Sequence, residues 1–214
     1  DELIYYMFGD RHRKKPDPDR RYDRIYIGGD YGQQNATTFE AFGLDTYRKR
    51  FPGLGEYYHS GRETGRQKSP SEYAKDLVEF MDDLHEQYDN RVFYIFLDPS
   101  AKGLAEEVRR ATRTGLEYQV ILKDAENDVA LGISRVQKVL SFDIMSISPK
   151  QENAVVEFGT YEYDKKSIEK GKEVPVKKGD HCMDAIRYVV MGAWSKLKRW
   201  LPREIRDEDT DDAE

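Results

Sequence analysis

Apolar residues recur along this chain with two different periods, and the changes of period mark out its elements. Residues 24–29 form a short strand-like run that closes with Gly28 and Gly29 and is followed by Asp30. A tight turn through Tyr31 and Gly32 leads to residues 37–44, which have the composition of an antiparallel return strand. Residues 54–59 supply a third strand, and 61–70 read as a polar loop. Pro70, Ser71 and Glu72 open a helix running to about Tyr88, in which Tyr73, Leu77, Phe80, Met81 and Leu84 recur with helical spacing. Residues 91–97, rich in aromatic and β-branched side chains, are the clearest strand of the chain. Beyond them the pattern predicts a helix over 100–113, a strand over 118–122, a helix over 127–140 and a helical turn or short helix over 153–158. Residues 161–163 and 174–176 flank a stretch of Lys, Glu and Gly, predicting a long hairpin or flexible flap. A last helix runs from about His181 to Trp200, before Pro202. Strands in hairpin order, followed by alternating helix and strand, predict an α/β fold with a mixed central sheet layered with helices.

Composition narrows the class. The chain has 214 residues, of which 38 % are hydrophobic and 36 % charged, enough apolar material for one core beneath a well-solvated surface. No stretch approaches the ~20 consecutive apolar residues that cross a bilayer. A single cysteine, Cys182, excludes an internal disulfide and a Cys-rich zinc site, and fits a reducing compartment. The net charge of −6 argues against a grip on nucleic acid by bulk charge alone. The charges are segregated, however. Residues 11–24 are strongly basic, residues 196–206 carry five basic groups against one acid, and residues 207–214 carry six acids. The expected organisation is a linker or arm over 1–23, a folded domain over 24–200, and a disordered acidic tail over 201–214.

Three acids stand where chemistry is expected. Asp30 and Asp98 each end a strongly apolar strand, at the mouth where ligands of α/β sheets bind. Each also has a plain reading, as a turn residue or a helix cap. Asp184 lies near the start of the last helix, one turn after His181, with Asp180 the natural N-cap; a first-turn acid favoured by the helix dipole is the plain alternative there. Clustered carboxylates repel one another and so favour capture of a cation. Magnesium or manganese prefers such oxygen ligands, and two ions ~4 Å apart suit in-line displacement at a phosphodiester. His181 would add a nitrogen ligand or orient water, Asp180 would support the ligands from behind, and Lys177 and Lys178 would meet substrate phosphate.

Residues 26–32 (Tyr-Ile-Gly-Gly-Asp-Tyr-Gly), 96–100 (Phe-Leu-Asp-Pro-Ser) and 178–188 (Lys-Gly-Asp-His-Cys-Met-Asp-Ala-Ile-Arg-Tyr) resemble, in this order, the C-terminal nuclease domain of tailed-bacteriophage terminase large subunits. That family is RNase H-like, and the resemblance extends over about residues 24–195. It implies metal binding by Asp30, Asp98 and Asp184, joined in some members by the histidine here at position 181. It further implies a DNA endonuclease that cuts concatemeric viral DNA during packaging, with Mg²⁺ or Mn²⁺ as cofactor (two ions) and weak sequence preference. An ATPase domain would precede residues 1–23, since the chain has no phosphate-binding loop of the form G-x-x-x-x-G-K-[ST]. Implied partners are double-stranded DNA, the small terminase subunit and the portal, with no membrane, in host cytoplasm at the procapsid. Two other readings stand beside it: a junction resolvase or ribonuclease H, and a non-catalytic docking module using Lys196, Lys198 and Arg199.

Overall fold

The structure is a computed structural model that describes residues 3–22, 24–32 and 35–207. Its strands are β1 (Ile25–Asp30), β2 (Ala36–Gly43), β3 (Phe51–Ser60), β4 (Val92–Leu97), β5 (Gln119–Asp124) and β6 (Met145–Ser146). Its helices are α1 (Gly61–Thr64), α2 (Pro70–Tyr88), α3 (Lys102–Ala111), α4 (Val129–Ser141), α5 (Glu152–Phe158), α6 (Lys165–Ile168), α7 (His181–Leu197) and α8 (Arg203–Asp207). The strands form one mixed sheet in the order β5-β4-β1-β2-β3-β6. β1, β2 and β3 run antiparallel in sequence, whereas β4 is parallel to β1 and β5 parallel to β4. α2 has the bounds its sequence predicts because a capping box of Ser69 and Glu72 starts it, with Pro70 at the first position.

The two-residue period of the strands divides the core. Ile25, Ile27, Phe93, Ile95 and Leu97 face the layer of α2 and α3, while Tyr26, Tyr94 and Phe96 face α7. α7 lies directly on β1 at Gly28, where a Cβ would stand 1.9 Å from the carbonyl oxygen of Ala185. Only glycine permits that approach. Gly29 pairs with Leu97 across the parallel strands. The next position on each strand is an aspartate, and the alternation carries Asp30 and Asp98 to the α7 side.

Several segments differ from their sequence pattern. The 1–23 stretch, expected as an arm, packs onto the domain where it is described: Ile4 and Tyr5 are buried, Ile4 N–H donates to Tyr161 O at 2.9 Å, and Lys14 N–H donates to Ile147 O at 3.0 Å. Burying each such side chain is worth roughly 1.5–3 kcal/mol, which outweighs the polar run that follows. The start of the expected 61–70 loop is α1, because the Ser60 hydroxyl accepts the N–H of Glu63 at 3.3 Å. The flap over 161–176 is a short hairpin, with one bridge between Tyr163 and Pro175 and a single helical turn, α6, at its tip. Of the stretch expected as a tail, Leu201 is buried and residues 203–207 form α8; residues 208–214 lie outside the described residues.

Candidate active site

Each of the three acids is held by its own partners at one end of the sheet. Asp30 accepts a hydrogen bond from His181 Nδ1 at 2.7 Å, joining the end of β1 to the start of α7. Asp98 accepts from the Ser100 backbone N–H at 2.7 Å, from Tyr188 Oη at 2.9 Å and from Asn127 Nδ2 at 3.1 Å. Asp184 pairs with the Arg187 guanidinium at 2.8 Å and with Lys177 Nζ at 3.3 Å. Arg187 also donates to Asn127 Oδ1 at 3.1 Å, so one polar chain runs from Asp98 through Asn127 and Arg187 to Asp184. Beside His181, a cavity of about 390 Å³ opens between the end of β3 and residues 177–181.

The electrostatics separate the two strand acids. Burial pushes the Asp30 carboxyl up, and the His181 hydrogen bond only partly offsets this. The same bond raises the imidazole above its ordinary value and ties the end of β1 to the start of α7. Burial acts on Asp98 too, but the Ser100 and Tyr188 hydrogen bonds outweigh it and hold that carboxyl below its ordinary value. Burial opposes the charge of Lys177, and Asp184 and Asp180 overcome it.

Asp180 takes the N-cap position of α7, yet its side chain makes no capping bond; Lys177 draws it away at 3.3 Å. Glu157 of α5 replaces it, accepting the N–H groups of Cys182 at 2.8 Å and Met183 at 3.1 Å. Burial raises the Glu157 carboxyl to about 7 against those two donors, from an ordinary value of 4.5. The folded state therefore holds this proton more tightly than the unfolded chain. The associated stability is complete below about pH 4.5 and is lost as pH rises through about 7. Urea titrations should show wild type losing up to about 3 kcal/mol more than Glu157→Gln between about pH 5 and about pH 8. Equal losses in the two proteins would place that titration elsewhere.

Among the described residues, the group of three ligand-type side chains with donor atoms within 4.8 Å of one another is Glu40, Glu56 and Cys182. Their oxygens are already engaged. Glu56 accepts from the N–H groups of Asn153 at 3.1 Å and Ala154 at 2.8 Å and from Asn153 Nδ2 at 2.7 Å, and Glu40 accepts from Gln151 Nε2 at 2.8 Å. Burial and then Glu56 hold the Glu40 carboxyl well above its ordinary value. A buried acid held above its ordinary value, against a saturated carboxylate, ties α5 to the sheet and suits an ion poorly.

Sequence reasoning did not single out Asn127, Glu157 or the pairing of Arg187. Helical spacing does place Arg187 and Tyr188 one turn after Asp184. Asn127 and Glu157 reach the site through tertiary packing and leave no local signal.

A mixed sheet with acids at the exits of two adjacent parallel strands, and a third on the helix covering them, defines an RNase H-like domain. Residues 30–191 match the family described as the terminase RNAseH like domain, and the chain belongs to that family. It is 33 % identical to the large terminase of a thermophilic bacteriophage, with a TM-score of 0.75 over 88 % of this chain and 43 % of that one. The chain thus spans less than half the length of that relative. The nuclease domain of the P22 large terminase superposes with a TM-score of 0.66 at 16 % identity, covering 95 % of each chain. The nuclease domain of the bacteriophage SPP1 large terminase, crystallised with bound Mn, gives a TM-score of 0.52 at 20 % identity over 79 % of this chain and 86 % of that one. At these identities the last two likenesses show the fold. No curated protein matches the chain.

Proposed function

We propose that this domain is a divalent-metal-dependent endonuclease that cuts concatemeric viral DNA during genome packaging. The observation carrying this reading is the placement of Asp30, Asp98 and Asp184 at one end of the sheet on the α7 side, in a chain of the terminase RNase H-like family. Three carboxylates and an imidazole are a hard, oxygen-dominated donor set that fits Mg²⁺ or Mn²⁺, and Asp30, Asp98, Asp184 and His181 would hold two such ions. The Mn in the SPP1 relative supports that choice. Bound there, a divalent cation supplies Lewis-acid stabilisation of the charge that develops on a scissile phosphate.

The protein's own groups have distinct tasks. Asp98 is held as an anion and so carries its charge at neutral pH. His181 turns Nδ1 toward Asp30, which leaves Nε2 as the nitrogen that would ligate in the neutral ring. Lys177 balances Asp180 and Asp184, and Lys178 beside it is exposed; both line the cleft beside His181 and would meet backbone phosphate there. Duplex DNA is the substrate in this reading. The ATPase domain of the longer chain, the small terminase subunit and the portal are its working partners, in host cytoplasm at the procapsid.

Supercoiled plasmid incubated with the domain should be nicked and linearised with Mn²⁺ or Mg²⁺ and left intact in EDTA. Cleavage that persists in EDTA would overturn the metal-dependent reading. A folded domain inert with both metals would favour the docking alternative.

A further inference from the structure

Both oxygens of the helix acid are engaged: Asp184 Oδ1 accepts from Arg187 at 2.8 Å and Oδ2 from Lys177 Nζ at 3.3 Å. The two partners differ in how firmly they hold. Arg187 is buried, braced by Asn127 at 3.1 Å and packed over Gly132. Lys177 is mostly exposed and makes its contact through one ammonium at the end of a flexible stem. A cation that binds Asp184 must therefore take Oδ2, and the lysine is the partner that can leave.

The same ammonium stands 3.3 Å from Asp180 Oδ2. The Asp180 side chain is only 10 % exposed, and this oxygen is a buried atom that receives no hydrogen bond among the described residues. Two carboxylate oxygens, one turn apart, thus converge on one point, where Lys177 supplies the positive charge. Leaving a buried carboxylate oxygen without a donor is costly, so Asp180 is half of a cation seat rather than a cap without its bond.

The backbone delivers the lysine to that seat. Val176, one residue before it, donates its N–H to Glu162 O at 2.9 Å at the base of the flap, and Gly179, at φ 62°, turns the chain back toward α7. Coulomb's law sets the direction of exchange. A divalent ion ~2.1 Å from Oδ2 attracts it about three times as strongly as a monovalent ammonium 3.3 Å away. Dehydrating the ion narrows that margin and leaves the lysine a competitor. We propose that Lys177 is a resident counter-cation for Asp180 and Asp184 that a divalent ion must displace, so that metal affinity is set from the base of the flap. This rests on the metal-dependent reading above and adds to it a positioning residue that acts through the carboxylates.

The test is Mn²⁺ binding to the domain without DNA, read from the free-ion signal in electron paramagnetic resonance. Lys177→Met should bind Mn²⁺ about tenfold more tightly than wild type, whereas Lys177→Arg, which keeps the charge, should bind it no more tightly. Lys75→Met removes the same charge from an exposed position on α2 and should stay within about twofold of wild type. The Nζ resonance of Lys177 should move toward that of a free lysine when Mg²⁺ is added to wild type. Saturating Mn²⁺ should raise the urea midpoint of Lys177→Met more than that of wild type, which separates a freed site from a damaged fold. Equal or weaker Mn²⁺ affinity in Lys177→Met, or a Lys177 resonance unmoved at saturating Mg²⁺, would overturn the proposal and leave the metal site standing. No Mn²⁺ binding by wild type or any variant would overturn the metal-dependent reading and the proposal together.

Discussion

Asp98→Asn is expected to lower metal-dependent cleavage by about 10³-fold or more while leaving the domain folded. The amide has the shape of the carboxylate, so its oxygen can still accept the Ser100 N–H now 2.7 Å away. What it loses is the anionic charge, and Asp98 is the strand acid whose environment keeps that charge in place. Tyr188 and Asn127 supply further hydrogen bonds to one Asp98 oxygen, at 2.9 and 3.1 Å; the Tyr188 hydroxyl can turn to accept from an amide at position 98, while Arg187 fixes the Asn127 amide, which loses one bond. The stability change should therefore stay within about 1 kcal/mol, measured by urea denaturation. Initial rates of plasmid nicking across a range of Mn²⁺ concentrations provide the other half of the comparison. A variant that cuts at the wild-type rate would remove Asp98 from the site. Loss of cutting with a large fall in urea midpoint would instead make Asp98 a structural residue. Asp30→Asn should be equally inactive, but it exchanges a buried acid bonded to His181, so its effect on stability mixes lost charge burial with a weakened hydrogen bond.

The parts of this fold visible in the sequence are those whose stabilisation is local or periodic. α2 keeps its predicted bounds because Ser69, Pro70 and Glu72 encode its start within four residues. β1 and β4 are visible as apolar runs because helices cover both of their faces. Strand alternation then allows Asp30 and Asp98 to be placed on a common side before any coordinates are known. What the sequence conceals depends on contacts between distant segments. β6 has two residues and exists only through its pairing with Phe51 and Pro52. Residues 3–8 read as a detached arm, although their burial depends on Phe158 and Tyr161, more than 150 positions away; Tyr5 meets those rings at 5.3 and 5.8 Å. The start of α7 illustrates the same limit. Local rules assign the cap to Asp180, and a glutamate from α5 takes the task because a lysine three residues upstream engages Asp180.

Arg187→Met should be the most destabilising single change near the site, costing about 3–5 kcal/mol. The Arg187 side chain is 1 % exposed, and its two terminal nitrogens meet Asp184 at 2.8 Å and Asn127 at 3.1 Å. Its stem crosses α4 at Gly132, where a Cβ would stand 2.3 Å from Arg187 Cγ, so backbone and side chain are fitted to each other. Methionine keeps much of that stem but leaves Asp184, with a side chain only 13 % exposed, facing Lys177 alone, and Lys177 is 60 % exposed. Removing one member of a buried pair strands the charge of the other, and that stranded charge is the main part of the cost. Asp184→Asn introduced into the Arg187→Met background should therefore recover part of the loss, and a double-mutant cycle in urea measures how much. Arg187→Lys should fall between the two, because a single ammonium cannot span Asp184 and Asn127 in the fork that guanidinium provides. A cost below about 1 kcal/mol for Arg187→Met, or no recovery in the double variant, would mean that packing over Gly132 rather than charge accounts for the arginine. Because Arg187 and Asp184 lie one turn apart on α7, cleavage by Arg187→Lys also reports on orientation. A folded variant that cuts slowly would show that the guanidinium sets the direction of the Asp184 carboxylate as well as balancing its charge.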